Sequence, residues 1–198
     1  IPKALVQIAG KPFIEHQLIL LKEQGITDVV ICSGHLGEQI REQVGDGKRF
    51  GLHIDYSEDG KNLRGTGGAL KNATKLLGDQ FFVLYGDSYL PINFHDVQKS
   101  YFGSRKSALM TIFKNQNLWD KSNVRFESGK IVEYNKHKPE PKMYHIDYGL
   151  GILSASVFKE YPADKPFDLA ELYHKLSLCD DLVGFEAQNR FYEIGNIK

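Results

Sequence analysis

The sequence predicts an α/β fold, with a mainly parallel sheet covered on both faces by helices and a more antiparallel second half. Between Pro12 and Tyr85, segments with helical spacing of apolar residues alternate with short runs that suit strands. Two of those runs are short and mainly apolar, as strands buried on both faces are. Further on, Asn123 to Tyr134 reads as a hairpin, which joins antiparallel strands. No repeat or low-complexity linker divides the 198 residues, so one domain spanning 1–198 is expected.

Pro12 suits a first helical position, and Ile14, Leu18 and Leu21 then recur at helical spacing up to Gly25. Asp28 to Ser33 is long enough for a buried strand and too short for a helix. A second helix is expected over 36–44, with Leu36, Ile40 and Val44 on one face. Leu52 to Tyr56 alternates as a strand, Ala69 to Leu77 is helical again, and Phe81 to Tyr85 is another buried strand. Ser107 to Phe113 reads as a strand. The hairpin follows, turning at Ser128-Gly129, and Lys138 to Lys142, with its two prolines, is a polar connector. Tyr144 to Leu153 is expected to be extended, and the last residues, Phe191 to Lys198, run on from a further strand.

Composition narrows the function classes. The chain is 41% hydrophobic and 25% charged, ordinary for a protein with a substantial core. Lys plus Arg equals Asp plus Glu at 25 each, so the basic excess of a nucleic-acid binder is missing. The two cysteines, Cys32 and Cys179, form neither a disulfide framework nor a close zinc spacing, which suits a reducing cytoplasm. No apolar run approaches a membrane span and no signal peptide opens the chain. Ile1-Pro2-Lys3 reads like the inside of a loop, so sequence is expected to be missing ahead of it, and the end at Lys198 is equally abrupt.

Ligands of open parallel sheets gather at the carboxyl ends of the strands. Gly86-Asp87-Ser88 follows such a strand and places one carboxylate at its tip; it is either a metal ligand or an Asp that caps the turn. Arg64 to Leu70 (Arg-Gly-Thr-Gly-Gly-Ala-Leu) carries glycines near a helix start, where free amides bind an anion or the edge of a base. It is neither a Walker loop nor a dinucleotide fingerprint, and a tight connection explains it equally well. Lys3 and Lys11 flank an apolar segment ahead of the first helix. They are either point charges for phosphate or solvated surface lysines.

The combination resembles the sugar-1-phosphate nucleotidylyltransferases. Pro2-Lys3 with Leu5, then Gly10-Lys11-Pro12, resembles that family's opening pattern. Gly65 to Leu70 resembles its nucleobase loop, Tyr85-Gly86-Asp87 its metal site, and Phe191-Tyr192-Glu193-Ile194-Gly195 its closing segment. The resemblance implies a Rossmann-like three-layer nucleotidyltransferase domain with a mixed, mainly parallel sheet. It implies a nucleoside triphosphate and a sugar 1-phosphate as substrates, pyrophosphate as co-product and Mg²⁺ as cofactor. Lys3 and Asp87 are then catalytic, Asp87 and Glu193 hold the metal, and Gly65, Thr66 and Gly68 line the nucleotide pocket. Lys136, Asp147 and Gly149 fall to the sugar phosphate, and Lys11 has a lesser, structural part. Two positions depart from the pattern: Glu193 stands where Asp is usual, and Asn135 replaces the acid that normally precedes the lysine. The strand and arginine-bearing glycine-rich loop with which the family begins do not precede Ile1.

Gly-Thr-Gly-Gly-Ala is closest to guanylyltransferases acting on heptose- or mannose-type 1-phosphates, which favours GTP; N-acetylmuramate 1-phosphate uridylyltransferases are the near rivals. A non-catalytic homologue that binds nucleotide sugars is the alternative from outside enzymology. A glycosyltransferase would show Asp-x-Asp after a strand, where Gly86-Asp87-Ser88-Tyr89 has one acid. Neither nucleic acid nor membrane is an expected partner.

Overall fold

Before its first helix the chain doubles back. In the computed structural model, which describes residues 1–60, 62–118, 120–162 and 165–194, Lys3–Leu5 forms one 3-10 turn. Gln7–Ile8 (β1) then pairs antiparallel with Lys11–Pro12 (β2). Ala9 and Gly10, between them, both have positive φ, as a tight hairpin turn with the twist of its strands requires. Gly10-Lys11-Pro12 therefore belongs to a hairpin. Pro12 flanks α1 (Phe13–Glu23) from outside rather than opening it.

The predicted βαβ unit forms: β3 (Asp28–Ser33) and β4 (His53–Glu58) pair in parallel, with α2 (Gly37–Val44) between them. Then follow α3 (Gly65–Ala73), β5 (Gln80–Leu84), β6 (Ser88–Tyr89) and α4 (Phe94–Ser104). The second half holds β7 (Ala108–Lys114), the hairpin of β8 (Val124–Glu127) and β9 (Lys130–Tyr134), and β10 (His145–Ser154). It ends in α5 (Leu169–Leu178), β11 (Leu182–Ala187) and β12 (Tyr192–Glu193).

The α/β class and the mixed sheet are as expected, but parallel pairing is scarcer than the opening half suggested. Among the described residues only β3–β4 and β7–β11 run parallel. The cause is β10, whose ten residues take antiparallel neighbours on both edges. β7 covers one edge, while on the other β5 pairs with Leu150 to Ser154 and β8 meets only His145. Asp147 to Gly149 lie where β5 has ended and β8 has not yet begun. A split between neighbouring strands at a sheet's working end is where ligands are taken up.

Side chains alternate across this sheet as the two-residue period dictates. Met110, Ile112 and Leu153 face α5, packing on Leu169, Leu172, Tyr173 and Leu176. Leu109, Leu150 and Ile152 face α4, against Phe94, Val97 and Tyr101. Each such buried side chain contributes about 1.5–3 kcal/mol, and together they make the helix–sheet–helix layers. A separate cluster of Ile14, Leu18, Val44, Leu52 and Ile54 holds α1 and α2 to β3–β4.

Between these two bodies runs an apolar cleft of about 550 Å³, lined by Ile14, Leu18, Val29, Ile31, Phe82 and Val83 among others. β3 pairs only with β4 and β5 only with β10 among the described residues, so each strand has one free edge. No described helix is long and apolar enough to cross a membrane.

Candidate active site

β5 ends at Leu84, and the turn that follows carries Asp87 just past the strand's carboxyl end. Gln17, on α1, fixes this turn: its buried amide donates to the carbonyls of Tyr85 (2.9 Å) and Ser88 (2.8 Å). From the far end of the chain, β12 pairs with β6 so that Glu193 stands opposite Ser88, and the Ile194 amide donates to the Asp87 carbonyl at 3.0 Å. The two carboxylates separated by most of the sequence thus meet on one side of the fold. Their proximity has an electrostatic cost, since partial burial first, and then the charges of Asp87 and Asp120, push the Glu193 carboxyl above its ordinary range. Lys3 acts in the opposite direction, with its Nζ 3.7 Å from Asp87 Oδ2. At 68% and 39% exposure that ion pair adds little stability, so the lysine remains available to another anion.

Deeper in, β10 bends. Its register with β7 slips between Asp147 and Gly151, and Gly149 there takes φ +98°. A bulge of this kind re-aims side chains next to sites. The Asp147 carboxylate accepts from the Gly149 amide at 2.9 Å, while the Asp147 amide donates to Asn123 Oδ1 at 3.0 Å. Burial raises the Asp147 carboxyl to about 6, against the lowering effects of that hydrogen bond and of Lys136, with Glu193 adding to the rise. Asp147, Lys136 and Glu193 therefore share one field. A strongly shifted acid surrounded by charged groups is what functional clefts display.

The glycine loop forms the first turn of α3 and is docked on the segment that opens α5. The amides of Gly67 and Gly68 both donate to the Phe167 carbonyl, at 3.0 and 3.3 Å, and the Phe167 amide donates back to the Arg64 carbonyl at 3.0 Å. A Cβ on Gly65, which sits at φ +70°, would come within 2.5 Å of that same carbonyl oxygen, and one on Gly67 within 2.2 Å of the Phe167 ring. The glycines are thus required by close protein packing, and of the four leading amides only those of Gly65 and Thr66 lack a protein partner among the described residues. The Thr66 hydroxyl is occupied too: it donates to Asp168 Oδ1 and accepts from the Leu169 amide, both at 2.9 Å. Asp168 also faces Lys136, whose Nζ is 3.5 Å from Oδ2.

A family model described as "Nucleotidyl transferase" matches residues 1–169. The chain belongs to the nucleotidyl transferase family. The D-glycero-alpha-D-manno-heptose 1-phosphate guanylyltransferase of Campylobacter jejuni is 30% identical over 181 residues, covering 89% of this chain and 79% of that protein. The N-acetylmuramate alpha-1-phosphate uridylyltransferase of Neisseria meningitidis is 42% identical over 94 residues, 47% of this chain and 41% of that protein. Other curated relatives are longer, and the chain spans only about half of them, for example 57% of a glucose-1-phosphate thymidylyltransferase from Streptomyces antibioticus. Among solved structures, HddC from Yersinia pseudotuberculosis complexed with GMP-PN superposes with a TM-score of 0.81 at 23% identity, covering 100% of this chain and 86% of that one.

In this nucleotidyl transferase, then, the fold gathers Lys3, Asp87 and Glu193 past the carboxyl end of β5, with Lys136, Asp147 and Gly149 in the same electrostatic neighbourhood. Gly65, Thr66 and Gly68 stand at the loop docked on Asp168. Gly195, the end of the closing motif, falls outside the described residues. Lys11 sits exposed on β2. Sequence reasoning missed Gln17, Thr111, Asn123 and Asp168. Gln17 was detectable as a polar residue on the apolar face of α1, between Ile14 and Leu18. Asp168 was detectable as Asp-x-x-Glu ahead of an apolar run, a helix-start signature.

Proposed function

We propose that this chain transfers a nucleotidyl group from a nucleoside triphosphate, GTP by preference, to a sugar 1-phosphate, yielding an NDP-sugar and pyrophosphate. The observation that carries the reading is the meeting of Asp87 and Glu193, held by the β6–β12 pairing and the Ile194–Asp87 bond, with Lys3 alongside. In this reaction an oxygen of the sugar phosphate forms a bond to the α-phosphorus while the bond from that phosphorus to the β-phosphate bridging oxygen breaks. Catalysis is then mostly positioning and charge neutralisation. Lys3 supplies positive charge to the triphosphate. The amides of Gly65 and Thr66 face the nucleotide, with Gly68 shaping the loop. Lys136 takes the sugar phosphate, and Asp147 and Gly149 take the sugar hydroxyls.

Asp87 and Glu193 suit Mg²⁺. Two neighbouring carboxylates, one of them raised first by partial burial and then by the other's charge, form an oxygen site that a hard dication would relieve. No group of three or more His, Cys, Asp or Glu gathers as a cage among the described residues, so phosphate and water oxygens complete such a site, as is usual for this ion. Held there by Asp87 and Glu193, such an ion would neutralise charge on the phosphate oxygens. The longer side chain of Glu193 reaches the site from β12, and Asn135 leaves the preceding position uncharged beside Lys136.

Residues 1–198 act in this reading as one nucleotidyltransferase domain, working in the cytoplasm. The further strand that the resemblance places ahead of Ile1 has support in the cleft between the free edges of β3 and β5. The preference for GTP rests on the Gly-Thr-Gly-Gly-Ala loop and on the heptose 1-phosphate guanylyltransferase as a relative. A screen of nucleoside triphosphates against sugar 1-phosphates, read by pyrophosphate release with and without Mg²⁺, tests the reading. Release with a GTP and sugar 1-phosphate pair is expected, and nucleotide-sugar binding without release would favour a binding protein instead.

A further inference from the structure

Thr66 and Lys136 belong, in the reading above, to the sites of two different substrates, yet one carboxylate contacts both. Asp168 Oδ1 accepts from the Thr66 hydroxyl (2.9 Å) and from the Ala170 amide (2.9 Å), and Oδ2 lies 3.5 Å from Lys136 Nζ. Around it, the Leu169 amide donates to Thr66 Oγ1, and the Glu171 carboxylate closes the capping box on the Asp168 amide. Capping a helix needs one acceptor, which Asn or Ser provides about as well as Asp. The second oxygen and the negative charge are left over, and they are what faces Lys136. Lys136 also interacts electrostatically with Asp147, so its ammonium pairs with the carboxylate at the head of α5 while feeling the one on β10.

We infer that Asp168 is a positioning residue that fixes the nucleobase loop and the sugar-phosphate lysine relative to each other. The inference rests on the nucleotidyl-transfer reading of the site. A long lysine side chain that is 55% exposed samples many rotamers, and an orienting carboxylate reduces the freedom lost when phosphate binds. On the other side of the same residue, the Thr66 bond holds the first turn of α3, whose free amides face the nucleotide. Asp168 thereby couples the two halves of the site without touching either reacting atom.

Three variants separate this from simple helix capping, in a polypeptide whose wild type releases pyrophosphate from GTP and mannose 1-phosphate or a related pair. Asp168→Asn keeps the cap and an acceptor for Thr66 but removes the charge. It is expected to raise KM for the sugar 1-phosphate about three- to five-fold, the scale of a partly exposed ion pair, with KM for the triphosphate and Tm unchanged. Asp168→Ser keeps the cap but loses both ties, and both KM values should rise. Thr66→Val should raise the triphosphate KM alone. An unchanged sugar-phosphate KM in Asp168→Asn overturns the proposal. A fall in that KM also does, because it would mean that Asp168 competes with the phosphate for Lys136. Equal rises in both KM values that track a loss of Tm across the three variants would reduce Asp168 to a structural cap. Absence of wild-type turnover with every substrate pair would instead defeat the nucleotidyl-transfer reading, and this inference with it.

Discussion

Thr111 is fully buried, and its hydroxyl both donates to the Leu150 carbonyl (2.6 Å) and accepts from the Leu150 amide (3.3 Å) where β7 and β10 lose register. A side chain here replaces ladder bonds that the bulge removes, which is how a buried backbone stays satisfied at a distortion. Thr111→Val, of nearly equal shape, should lower stability by about 1–3 kcal/mol, because it strands those two backbone groups. Urea denaturation reads this directly, and an unshifted midpoint would show that the bulge needs no support. Asp147, at the start of the bulge, has its folded-state pKa raised to about 6, above the unfolded value of about 3.9. Between those values the unfolded chain has lost the proton and the folded one retains it, so stability contributed at this position falls as pH rises from about 4 to 6 and is then constant. Asp147→Asn should therefore gain stability relative to the parent across that window and keep the gain at pH 7. Parallel stability profiles for the two proteins would refute the assigned shift. Past the end of β5, Asp87→Asn should lose most turnover, since Asn is a much poorer hard-cation ligand. Lys3→Ala should slow transfer where Lys22→Ala, on the polar face of α1, does not. Equal turnover of the two lysine variants would remove Lys3 from the chemistry.

Among the elements, the contact of α3 with the head of α5 decides how the glycine loop is understood. Read from sequence, three glycines at a helix start suggest amides left open for a ligand. In the structure two of those amides are taken by Phe167, which lies too far along the chain for local pattern to reveal it. Gly65→Ala should be costly, about 1–3 kcal/mol, because both the positive φ and the Phe167 carbonyl oppose a Cβ. Gly103 is the control: it sits within α4, an added Cβ would meet nothing within 4 Å, and it takes no positive φ. Gly103→Ala should gain about 0.5–1 kcal/mol from helix propensity. Thermal melts of the pair would show opposite shifts, and matched shifts would mean that the loop is free to move off Phe167. β3 at Asp28–Ser33 and the Ser128-Gly129 hairpin are legible to within a residue or two. By contrast α3, expected over 69–77, starts and ends four residues earlier at Gly65–Ala73, because the glycines that periodicity leaves outside the helix form its first turn. The helices α4 and α5 were not anticipated, although Asn93 and Asp168 mark their starts, because a cap is a weak signal where no candidate motif adjoins it.

At the scale of the whole molecule, the sheet departs most from what periodicity predicts, because strand order and direction are set by partners distant in sequence. Apolar runs identify β5, β7 and β10 as buried strands, but nothing local says that β10 will lie between the other two, antiparallel to both. The same limit applies to the cleft. β3 and β5 each present an unpaired edge to it, and α1 covers it with Ile14 and Leu18 while Leu70 and Leu76 approach from the side of α3. Free edges flanking apolar walls favour one kind of occupant, an extended segment apolar on both faces that pairs its backbone with each edge. On the proposed reading this is the strand ahead of Ile1. A longer polypeptide that supplies it should slow amide exchange along the cleft-facing edges of β3 and β5, at Val29 to Ile31 and Phe82 to Leu84. It should also raise the thermal midpoint, since burying several aliphatic side chains contributes about 1.5–3 kcal/mol each. Exchange at β4, whose partner is already present, should change least and serves as the internal reference. Uniform protection across all three strands would point to general stabilisation, and unchanged exchange at β3 and β5 would exclude a strand from the cleft.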